Sequence, residues 1–186
     1  MKDIGYRLYL IIDRHRVVFS ISLTIFMVGF FSGIFHTVSL RTAQSTEFTA
    51  EIAARESILG MLTGFALPCF LAIILMYIAG YYKLSTLIAV PIIIGYRGYT
   101  ASAIVINALN GVEGFFECVL AALPLACINS FVFIFGGMIA LSNPFLNKGD
   151  MESYKSFYIF LFIIMGIAVI YYCVVKYVLS MIFPGI

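Results

Sequence analysis

The chain reads as an all-α integral membrane protein, a bundle of about five transmembrane helices with a short N-terminal interfacial helix. Of its 186 residues, 63% are hydrophobic and 11% charged, with a mean hydropathy of +1.08; no soluble domain covers that much apolar surface. Runs free of Lys, Arg, Asp and Glu lie at 17–40, 57–82, 118–147 and 156–175. Each reaches about 20 residues or more, the length that crosses about 30 Å of hydrocarbon as helix. A fifth apolar stretch, 84–109, carries a single ionised residue, Arg97, at its middle.

In chain order, residues 1–16 set Ile4, Leu8, Ile11 and Ile12 at helical spacing among Lys2, Arg7, Arg14 and Arg16. This predicts a cytoplasmic interfacial segment on anionic lipid headgroups, followed by a single transmembrane helical domain over 17–186. The first span is too long for a signal-peptide core and lacks a small-x-small cleavage site, so it is read as a retained anchor. It carries Gly29 and Gly33, as the second span carries Gly60 and Gly64. Lipid supplies little hydrophobic drive to pair helices, so such small-xxx-small ridges provide close backbone contact. Packing within one subunit is preferred here over a partner interface, and Gly98 extends the same character to the third span.

Residues 41–56 form the largest segment between spans. Thr46 caps a predicted helix that starts at Glu47 and continues through Ala50, Glu51, Ala53, Ala54 and Arg55 into the second span. Glu47, Glu51 and Glu56 make a candidate outer contact for a basic partner surface. Asn110-Gly-Val-Glu-Gly114 predicts a tight hairpin between the third and fourth spans, and 143–154 a short polar turn. Cys69, Cys118, Cys127 and Cys173 lie in or at the ends of apolar spans, and buried apolar packing is expected of each.

Arg97 is the costly residue. A charge at mid-bilayer carries a penalty from about 3 kcal/mol on insertion scales to about 10 or more on an isolated helix, so it needs polar partners. Residues 84–109 are read as one full crossing; the alternative is a re-entrant pair broken near Pro91, Gly95 or Gly98. Folding back at Gly111 sets Arg97 opposite Leu125, which leaves Glu117 about 12 Å away along the axis and Asn129 one turn from register. Arg97, Glu117, Asn129 and Asn107 are therefore the candidate intramembrane polar cluster, with carbonyls freed near Pro124 as further acceptors. A structural clamp is preferred over a transported-ion site; a transporter or channel component around Arg97 and Asn129 is the alternative.

Catalytic constellations are missing from the sequence: there is no His-Glu-x-x-His, no Gly-x-Ser-x-Gly and no phosphate loop, and His15 and His36 stand at membrane edges. No enzymatic activity, cofactor or metal is expected. A net charge of +2 without a basic, aromatic-interleaved run excludes nucleic acid as a partner. Lys2, Arg7, Arg14, Arg16, Lys83, Lys148 and Lys155 fall on one side of the predicted topology, against Arg41 and Arg55 on the other. The positive-inside rule then sets the N-terminus in the cytoplasm and the C-terminus outside.

The stretch Ile94-Gly-Tyr-Arg-Gly98, then Asn110-Gly-Val-Glu-Gly-Phe-Phe116, then Leu123-Pro124 with Asn129 a turn later, resembles the stage II sporulation protein M family. Gly29-Phe-Phe-Ser-Gly33 in the first span fits that family's glycine-bearing anchor, and the resemblance covers essentially the whole chain. It implies a non-enzymatic polytopic scaffold in a bacterial cell membrane, in the mother-cell or septal membrane of a spore former. Its partners would be membrane lipids and cell-wall hydrolases like stage II sporulation proteins D and P, which thin the septal wall and drive engulfment. A homo-oligomer is compatible with the same reading.

Overall fold

The computed structural model describes residues 15–43, 66–108, 118–142 and 151–182. Regular structure among them is helical throughout: α1 Arg16–Ala43, α2 Leu67–Ala79, α3 Lys83–Ala108, α4 Leu123–Ser142 and α5 Met151–Ile182, with a π-helical turn at Cys118–Ala122 leading into α4. The N-terminal interfacial segment, Glu47, Glu51, Glu56, Gly60, Gly64, the 110–114 turn and Glu117 lie outside the described residues. Asn107 belongs to α3, but its side chain lies outside them too.

Four stretches are long and apolar enough to cross a membrane: Arg16–Ser39, Lys83–Ser102, Val119–Ser142 and Tyr154–Val175. The directions in which they run follow from side-chain register. Gly29 packs on Gly95 and Gly33 on Tyr99 and Ser102, so positions rise together and α1 lies parallel to α3. Two consecutive parallel crossings require a return between them, and α2 runs that way. It pairs Phe70 with Phe162 and Tyr77 with Tyr154, antiparallel to α5, while Gly137 against Ile94 and Asn129 against Arg97 run α4 antiparallel to α3. The 13 residues of α2 rise about 20 Å, a partial crossing whose preceding residues lie outside the described set. The protein is thus an all-α multi-pass membrane bundle in which α1, α3 and α5 share one direction.

Because α1, α3 and α5 all begin at one end, exposed Arg16, Lys83 and Lys155 gather there. Thr86 anchors the α2–α3 corner at that end, its Oγ1 donating to the carbonyls of Ala79 and Tyr82 at 2.7 and 2.9 Å. Both carbonyls also accept a backbone N–H, Ala79 from Tyr82 and Tyr82 from Thr86 itself, so the hydroxyl adds a side-chain tie to a corner the backbone already closes. Pro91 stands inside α3 without dividing it, so Lys83–Ala108 is one helix of 26 residues rather than a re-entrant pair. Proline lacks an N–H, but such gaps are tolerated in membrane helices whose neighbours close around them.

Phe26, Ile73, Met76, Ile94, Phe133, Leu161 and Met165 form the buried centre, whereas Val17, Phe35, Leu84, Ile92 and Ile167 face outward. The side chain of Cys118 lies outside the described residues; among the other cysteines, Cys127 departs from expectation. Cys127 is exposed, because Leu125, Ala126 and Asn129 occupy the inward face of α4 and turn position 127 away from it. Cys69 is buried and Cys173 half-buried.

Candidate functional site: a buried polar cluster around Arg97

Arg97 is 2% exposed and the bulkiest fully buried side chain among the described residues. It lies on α3 where α2 and α4 converge. Its guanidinium carbon stands 5.0 Å from the centroid of the Phe133 ring of α4, a cation–π contact worth about 2 kcal/mol where water is excluded. Nη1 lies 3.5 Å from Thr100 Oγ1, one turn along the same helix, and that hydroxyl donates to the Arg97 carbonyl at 3.1 Å. The neighbouring Gly98 faces α1, where a Cβ would run into the backbone of Phe26. The Arg-Gly pair therefore combines a large buried cation with the absent side chain that lets α1 close on the same turn.

Asn129 is fully buried on α4 and joins two helices to its own. Its Nδ2 donates to the Arg97 carbonyl at 3.4 Å, and its Oδ1 accepts from Cys69 Sγ of α2 at 3.8 Å. This differs from the sequence expectation in one respect: the amide engages the backbone of Arg97 rather than accepting from its guanidinium. Cys69 was expected to be buried, and it is, but its bond to Asn129 was not foreseen, because only the position of α2 in the bundle brings its thiol there.

The carbonyl freed near Pro124 goes elsewhere than expected. Residue 124 cannot donate to the carbonyl four residues earlier, which belongs to Leu120, and Tyr171 Oη of α5 donates to that oxygen at 2.8 Å. The missing N–H of a proline is the signal that could have located this bond.

At the end where Lys83 and Lys155 lie, a second cluster was also missed. Tyr77 and Tyr81 of the α2 end meet Tyr154 and Tyr158 of α5, with ring centroids 5.0–5.5 Å apart. Tyr154 Oη donates to the Tyr77 carbonyl at 2.9 Å and Tyr158 Oη to the Gly136 carbonyl at 2.7 Å. The spacing of four residues places Tyr154 and Tyr158 on one face of α5, the pattern that sequence reading could have used, while Tyr81 comes from the turn just past α2.

No protein-family model, curated protein or solved structure matches the chain. Asn129, Thr100, Ser102, Ser130, Ser142, Tyr154, Tyr158 and Tyr171 all donate to backbone carbonyls. Buried Ser22 Oγ, between α1 and α4, has no such bond. At the opposite end from the tyrosines, Tyr99 Oη meets His36 Nδ1 at 2.6 Å across the α1–α3 contact. Of the glycines, Gly29, Gly33 and Gly98 all stand in that contact. Among the described residues no group of His, Cys, Asp and Glu could hold a metal ion.

Proposed function

We propose that the chain is a non-enzymatic scaffold in a bacterial cell membrane, N-terminus cytoplasmic, that anchors cell-wall-degrading partners outside the membrane. The observation that carries this reading is where the side-chain donors of α4 and α5 go: Asn129, Tyr154, Tyr158 and Tyr171 each end on a backbone carbonyl of a neighbouring segment, and the Arg97 guanidinium stands over the Phe133 ring. Polar side chains used in this way hold helices together, and the chemistry belongs to whatever the bundle holds. Resemblance to stage II sporulation protein M narrows the partners to hydrolases like sporulation proteins D and P, acting at the septal or mother-cell membrane in thinning septal wall for engulfment. The gathering of Arg16, Lys83 and Lys155 at one end supports the cytoplasmic assignment of that end.

A pull-down of detergent-solubilised protein is the test: hydrolases of peptidoglycan in the eluate support the scaffold, and solute flux in reconstituted vesicles without such partners contradicts it. Orientation is tested in a cysteine-free background. Gln44→Cys is expected to react with an impermeant reagent from outside, and outside labelling at Asn147→Cys overturns the assignment. Glu47, Glu51 and Glu56, outside the described residues, are proposed as the partner contact; their joint replacement by Gln should leave insertion intact and weaken hydrolase recovery.

A further inference from the structure

We propose that the crevice between α2 and α5 is a binding site for one anionic phospholipid, its phosphate held by Lys155 and Tyr77 and an acyl chain lying along Ile73, Ile74, Ile159 and Phe162. The crevice has a volume of about 180 Å³ and is lined by these residues together with Tyr158. Its shape follows from two aromatic contacts between antiparallel helices. Phe70 against Phe162, with centroids 4.6 Å apart, closes the deep end. Tyr77 against Tyr158, at 5.4 Å, frames the mouth. From position 77 to position 70 is about 10 Å along α2, so the slot runs inward from the membrane surface.

Three features select the occupant. Ile74, Ile159 and Phe162 are exposed, so the slot opens sideways into hydrocarbon; a peptide entering there would leave backbone groups unsatisfied, whereas an acyl chain has none. The mouth carries the ammonium of Lys155, exposed at the end where Arg16 and Lys83 also lie. A lysine at this depth reaches toward headgroups along its own apolar stem. Beside it, Tyr77 Oη accepts from Tyr81 Oη at 2.6 Å and keeps its own proton to donate. The tyrosine cluster holds the mouth rigid, since Tyr154 Oη and Tyr158 Oη are committed to carbonyls of Tyr77 and Gly136. One cation and one hydroxyl donor above an apolar slot match a phosphodiester carrying net negative charge above its acyl chain.

The test uses the full chain in nanodiscs of phosphatidylcholine, alone or with phosphatidylglycerol, reading retained lipid by native mass spectrometry and the melting temperature. Wild type is expected to retain phosphatidylglycerol about fivefold over its share of the disc, the preference that one basic contact supplies, and to melt higher with it. Lys155→Gln should bring that preference near unity. Ile159→Trp, which fills the slot from an exposed position, should lose the retained lipid. Lys83→Gln, at the same end but outside the crevice, should keep most of the preference. Unchanged preference in Lys155→Gln and Ile159→Trp overturns the proposal, as does an equal loss in Lys83→Gln, which would mark diffuse surface attraction. Inorganic phosphate added to phosphatidylcholine discs should not raise the melting temperature; if it reproduces the phosphatidylglycerol effect, the site takes the free ion and the lipid assignment fails.

Discussion

Where α1 meets α3, backbone lies on backbone: a Cβ at Gly29 would overlap the carbonyl of Gly95, and one at Gly98 would overlap the carbonyl of Phe26. Where α2 meets α5, aromatic rings fill the space instead, and Tyr154 crosses the gap to donate to the Tyr77 carbonyl. Both contacts solve the same problem, since lipid tails offer helices no hydrophobic reason to pair. The first relies on dispersion over parallel helices brought close by missing side chains, and leaves no room for an added atom at Gly29, Gly33 or Gly98. The second relies on packed rings, the directed hydrogen bond from Tyr154 to α2 and that from Tyr158 to Gly136 of α4, and should lose stability in small, separable steps.

Replacements in the glycine seam are expected to have the largest effect. Gly29→Ala and Gly98→Ala each push a methyl group into neighbouring backbone, which should cost about 1–3 kcal/mol, and the Leu variants should fail to accumulate as folded protein. Gly95→Ala provides the internal control, because its Cβ would meet only Ile25 Cγ2 at 3.7 Å, and Gly166→Ala meets nothing within 4 Å. Thermal melting of solubilised protein checks the series; equal losses at Gly29 and Gly166 would erase the contrast.

Tyr158→Phe comes next. It removes the donor to the Gly136 carbonyl in a buried position and should cost about 0.6–1.7 kcal/mol, from the average to the largest value for hydrogen bonds between membrane helices. Tyr171→Phe leaves the Leu120 carbonyl without its donor, but Tyr171 is exposed, so a loss below about 0.6 kcal/mol is expected. A Tyr171 effect exceeding that of Tyr158 would mean that the proline-freed carbonyl, and not the tyrosine cluster, holds α5.

The membrane-spanning class and most helix positions were legible because apolar run length is set directly by bilayer thickness. The continuity of α3 through Pro91 was legible on the same ground. The pairing of Arg97 with Asn129 was within reach from register alone, since the turn predicted at Gly111 sets Asn129 one turn from Arg97. Cys69 was not, because α2 meets α4 only through the assembled bundle and no local spacing encodes a contact 60 residues away. The aromatic clamp was encoded locally only in part, in the four-residue spacing of Tyr154 with Tyr158 on α5; Tyr77 and Tyr81 reach it from the end of α2 and the turn beyond, which no local spacing brings to α5.

On the proposed reading, Arg97 holds the bundle together and is not a station on a pathway. Arg97→Leu tests it most directly, read as folded yield and as hydrolase recovered per folded molecule. Leucine would forfeit the Phe133 and Thr100 contacts and leave a void where the bulkiest buried side chain stood. Folded yield should therefore drop with a loss on the order of 1–3 kcal/mol, while the molecules that do fold recover their partner at the wild-type level. Normal yield and melting, with partner recovery abolished or a solute flux removed, would contradict the account.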